Sequence, residues 1–76
     1  MKIMGYEMEI KESETTAEGV RYDLYAEVGG PCGAVEIIDV DSGMMVGVTK
    51  YNTYDEAKVG LSIALIRDMC RQQDRD

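Results

Sequence analysis

The sequence predicts an α+β fold: a four-stranded antiparallel β-meander followed by one C-terminal α-helix packed on the sheet (ββββα). Three observations predict it. Apolar and polar residues alternate with a period of two through the first two-thirds of the chain, the breaks between these stretches are short, and the period becomes helical after Thr53. At 76 residues there is room for a single domain spanning 1–76. A domain of this size buries only about 60% of the surface its unfolded chain exposes, so its core is modest.

The first strand, about 3–11, sets Met4, Tyr6, Met8 and Ile10 against Gly5, Glu7, Glu9 and Lys11. Glu12 to Gly19 has neither periodicity nor a large apolar residue, which predicts a mobile acidic loop. The second strand, about 20–28, places Val20, Tyr22, Leu24, Ala26 and Val28 on one face and Arg21, Asp23, Tyr25 and Glu27 on the other. Gly29-Gly30-Pro31-Cys32-Gly33 interrupts the pattern, because glycine reaches positive φ and proline lacks an N–H for the ladder. In the third strand, about 34–40, Val35 and Ile37 hold one phase and Ile38 and Val40 the other. Either both faces are covered or a bulge falls between Ile37 and Ile38. Asp41-Ser42-Gly43 reads as a three-residue hairpin turn, and the fourth strand covers about 44–51 with Met44, Val46 and Val48 inward.

Thr53-Tyr54-Asp55-Glu56 has the form of a capping box opening a helix over about 54–71. Its acids lie in the first turn, with Arg67 and Arg71 near the end, as the macrodipole favours. Residues 72–76 are expected to fray. Around the helix, Val59, Ile63, Ile66 and Cys70 form one apolar stripe, and Tyr54, Ala57, Leu61, Ala64 and Leu65 form another on nearly the opposite side. Unless a strongly curved sheet wraps both, one stripe meets another molecule. The Tyr54, Ala57, Leu61, Ala64, Leu65 stripe is the expected interface of a homodimer, since Ala57, Gly60 and Ala64 allow close approach.

Composition narrows the function. The chain carries 8 Lys and Arg against 15 Asp and Glu, a net charge of −7, and no His. That balance argues against direct contact with nucleic acid or an anionic membrane, and no segment approaches the roughly 20 apolar residues that span a bilayer. Met1 to Glu7 turns acidic before an apolar segment develops, so no signal peptide is expected; with only Cys32 and Cys70, the expectation is a reduced, cytoplasmic protein. Without His there is no neutral-pH proton shuttle and no base to activate Cys32. Two cysteines cannot close a tetrahedral zinc site, and Asp39, Asp41 and Ser42-Gly43 lack the spacing and bidentate Glu of a calcium loop. The Gly29–Gly33 segment joins two strands and holds no cation, unlike a phosphate cradle. No catalytic group, cofactor or metal is therefore expected.

Charge is unevenly placed, with 4 basic against 12 acidic residues up to Ala57 and 4 against 3 from Lys58 onward. The expected partner site is one acidic sheet face, formed by Glu7, Glu9, Asp23, Glu27, Glu36, Asp39 and Asp41, with Tyr25 exposed among them as an aromatic anchor. These features predict a non-catalytic protein-binding module whose acidic face engages a basic surface on a larger protein. An inhibitor of a nucleic-acid-handling complex, of the anti-defence (anti-CRISPR-like) kind carried by phages, fits that description by analogy. The alternative is a structural homodimerisation domain.

Overall fold

The computed structural model describes residues 1–74, with side chains as far as Cys70. Five antiparallel strands in sequential order form the sheet: β1 Lys2–Ile3, β2 Tyr6–Thr15, β3 Val20–Glu27, β4 Gly33–Asp39 and β5 Met44–Tyr51. One helix, α1 Tyr54–Asp74, follows. The class is the α+β antiparallel arrangement expected, with five strands in place of four. The additional strand arises because the expected first strand breaks at Met4-Gly5, where φ is 50° and 88° and Ile3 pairs with Tyr6. Two successive positive φ values make the two-residue turn that matches strand twist. A methionine seldom adopts that conformation, so period-two alternation reads straight through the turn.

The expected acidic loop is also mostly strand. Glu12, Ser13, Glu14 and Thr15 pair with Leu24, Asp23, Tyr22 and Arg21, leaving only Thr16–Gly19 as the turn. An exposed edge needs backbone partners rather than apolar side chains, and β3 supplies them. The helix continues to Asp74, beyond the expected end at 71; positions 75 and 76 of the expected frayed tail lie outside the described residues.

Two register shifts shape the sheet. On β2, Ile10 faces Tyr25 and Glu12 faces Leu24, so Lys11 is an extra residue. Between β4 and β5, Ile37 faces Gly47 and Ile38 faces Met45, which leaves Val46 unpaired. The shift falls at the expected Ile37/Ile38 step, but the added residue belongs to β5. Strand β4 itself keeps alternating.

On one face, Tyr22, Leu24 and Val35 meet Ala57 and Leu61, with Tyr54, Ala64 and Leu65 packed around them. The stripe expected to form a homodimer interface therefore faces the sheet instead. Gly33 explains the choice, because a Cβ there would come within 2.8 Å of the Ala57 Cβ and 3.0 Å of the Tyr54 Cα. Only small residues allow α1 to sit this close to β4. The helix start is fixed by the Tyr54 N–H donating to the Pro31 carbonyl at 2.8 Å and the Thr53 hydroxyl accepting from the Glu56 N–H at 3.1 Å. The Gly29–Gly33 segment is thus the anchor of the helix.

On the other face, Ile3, Met8, Tyr25 and Ala34 form a second core under the β1–β2 hairpin. The Lys50 ammonium lies 4.7 Å above the Tyr6 ring, joining that hairpin to β5.

Candidate functional site

Residues paired across an antiparallel ladder project to the same face. Glu9, Glu12 and Glu14 pair with Ala26, Leu24 and Tyr22, and so lie on the face that carries the helix; Glu7 joins them by alternation. Counted by number alone, Glu12 and Glu14 would fall opposite Glu7 and Glu9. The extra residue at Lys11 absorbs that offset and aligns all four carboxylates in one row. Within each pair the Cα spacing is about 6.7 Å, two residues of extended strand.

This row is open to solvent because α1 lies on β3 and β4, and less on β5. Glu7 Oε1 is 3.1 Å from the N-terminal amine, and Glu9 Oε1 accepts from Lys11 Nζ at 2.6 Å. Lys11, by this hydrogen bond and then by its charge, holds the Glu9 carboxyl below the usual carboxylate range, and Glu9 raises the Lys11 ammonium in return. Both groups are solvated, so the pair contributes little to stability. Among the described residues Glu12 and Glu14 have no ion-pair partner.

The expected acidic face is not one surface. Asp23, Tyr25, Glu27 and Glu36 point to the opposite side of the sheet, and Asp23 and Glu36 are only 1% and 6% exposed. Asp23 accepts from the Ser13 hydroxyl at 2.7 Å and from Arg21 Nε at 3.1 Å. Tyr25 is buried rather than exposed, and burial, followed by the Glu36 and Asp23 carboxylates, pushes its phenol up. Ile3 of β1 packs in one cluster with Tyr25, a closure that alternation did not reveal. Glu27 bends back onto its own loop and accepts the Cys32 N–H at 3.3 Å. Asp39 braces the following hairpin by accepting from the Ser42 hydroxyl at 3.1 Å and the Asp41 N–H at 3.2 Å, while Asp41 stays exposed. Of the eight expected residues, Glu7 and Glu9 belong to the open row. Glu12 and Glu14, read as loop, complete it; the β-branched Thr15 beside them was the available signal.

Across α1 from the acidic row lies a groove of about 650 Å³ between the helix and β4–β5. Val35, Ile37, Thr49 and Tyr51 floor it, and Val59 and Ile63 form its helix wall. Val59, Ile63 and Ile66 are 58%, 45% and 58% exposed, so the helix stripe left uncovered is this one. Asp55 and Glu56 stand at one end of the groove and Arg67 at the other.

Burial, then the Glu27 carboxylate, pushes the Cys32 thiol up. Among the described residues no group of three His, Cys, Asp or Glu is placed to hold a metal ion, and no helix is long and apolar enough to cross a membrane. The acidic row and the apolar groove lie on opposite sides of α1. No family model, curated protein or solved structure matches this chain.

Proposed function

We propose that the chain is a non-catalytic, cytoplasmic protein-binding module whose acidic row engages a basic surface on a larger protein. The observation that carries this reading is the alignment of Glu7, Glu9, Glu12 and Glu14 on one open face of β2 through the Lys11 bulge. Proteins that hold nucleic acid do so with Lys and Arg arrayed against regularly spaced phosphates. A row of carboxylates on an extended strand offers the same cations a regular series of negative charges, on a chain whose net charge of −7 steers it toward them. The partner class is accordingly a nucleic-acid-handling complex, and the action is occupation of its basic groove.

The test is displacement of labelled DNA from such complexes by the purified chain. Displacement should weaken as salt rises, because the contacts are screened charge pairs. The double variant Glu12→Lys with Glu14→Lys should lose it while its circular dichroism stays unchanged. Displacement that survives both salt and charge reversal would overturn the acidic row as the binding surface. Failure to displace DNA from any complex would overturn the inhibitor reading.

A further inference from the structure

We infer that the groove between α1 and β5 is the interface with a second copy of this chain, related by a two-fold axis beside β5. Strand β5 is the unpaired edge at the groove side of the sheet, and over Met44–Tyr51 its only charged residue is Lys50, which lies over Tyr6. Met44, Met45 and Val46 are exposed along it, and Val59, Ile63 and Ile66 are exposed on the helix. An edge left this apolar invites another strand, and natural sheets normally blunt it with charge.

The occupant is a second copy because the ends of the groove are complementary to each other. Asp55 and Glu56 lie at one end and Arg67 at the other. Asp55 and Arg67 are twelve helical positions apart, about 18 Å at 1.5 Å per residue. A two-fold axis beside β5 runs the two edges antiparallel and reverses the helices along with them. The acidic end of each helix then faces the basic end of its mate, and the same apolar stripe is used twice. The acidic row on β2 stays outside this interface, so the dimer presents two rows facing away from one another.

Sedimentation equilibrium of the full chain at micromolar concentration should give twice the 8.5 kDa mass of one chain. Ile63→Glu, at a half-exposed position, should give a folded monomer. Asp55→Arg alone and Arg67→Asp alone should each raise the dimer dissociation constant about tenfold, since two symmetric ion pairs become repulsions. Both substitutions in one chain should restore it, which no general folding defect would do. A wild-type mass of 8.5 kDa at high micromolar concentration overturns the proposal. So does a dimer that tolerates Ile63→Glu, or a double charge swap no tighter than the single ones. Glu12→Lys with Glu14→Lys should leave the mass unchanged, which separates this result from that of the acidic row.

Discussion

The two flanks of α1 lie on the same face of the same sheet and differ in almost every chemical respect. Toward β2 the surface is a row of carboxylates on a strand with no apolar residue after Ile10. Toward β5 it is an open apolar groove backed by a nearly uncharged edge. Each flanking strand carries one extra residue, Lys11 on β2 and Val46 on β5, so backbone irregularity does not distinguish them. Charge does. The β2 edge repels other acidic chains, its own copies included, and the β5 edge does not. One small domain thus carries an acidic surface and an open apolar one on the two sides of its helix.

The helix keeps these flanks apart, so the largest expected effect comes from removing what seats it. Leu24 is fully buried beneath α1. Leu24→Ala should lower the unfolding free energy by about 3 kcal/mol in urea titration, with both flanks disrupted together. A loss below about 1 kcal/mol would mean that α1 is held elsewhere.

A smaller effect separates carboxylates that build the fold from those that decorate it. Asp23→Ala leaves the Ser13 hydroxyl and Arg21 without their acceptor and should cost about 2 kcal/mol. Glu12→Ala and Glu14→Ala should each stay within about 0.5 kcal/mol of the parent, because nothing in the described structure depends on them. Equal costs at Asp23 and Glu12 would dissolve the distinction between the buried face and the open row.

Alkaline pH tests the buried face separately. The Tyr25 phenol is raised above its ordinary value of 10.0, so the folded state resists its ionisation. Below that value the phenol is neutral in both states and its contribution is complete; as pH climbs toward the folded value the unfolded chain ionises first and stability falls. Tyr25→Phe should flatten that alkaline limb of a pH-dependent melting curve. An unchanged limb would show that another group governs it. The smallest effect belongs to the open row, where Glu12→Gln with Glu14→Gln should shift melting by no more than a degree or two, upward at low salt as like charges are removed.

Much of the fold was legible along the chain. The alternation at Val20–Glu27, the left-handed Gly43 and the Thr53 cap appear where local chemistry places them. These features depend on neighbours two to four residues away. The first hairpin was not legible, because Met4 takes a conformation that its side chain disfavours and that only the closure of β1 over Met8 and Tyr25 sustains. Nor was the acidic row. Glu12 and Glu14 share a face with Glu7 and Glu9 through one unpaired residue, and which residue goes unpaired depends on the match between β2 and β3.

The helix shows the same division. Its two apolar stripes, its cap and the small residues within it are properties of sequence period, which local backbone geometry reads directly. Their assignment is a long-range matter. Ala57 meets Gly33, 24 positions earlier, at a separation that leaves no room for a Cβ on residue 33, and the Tyr54–Leu65 stripe faces inward while Val59, Ile63 and Ile66 stay outside. Period, charge and turn chemistry are local and appear in the order of residues. Which face is covered depends on steric fit between segments distant in the chain, and that exists only once they are packed together.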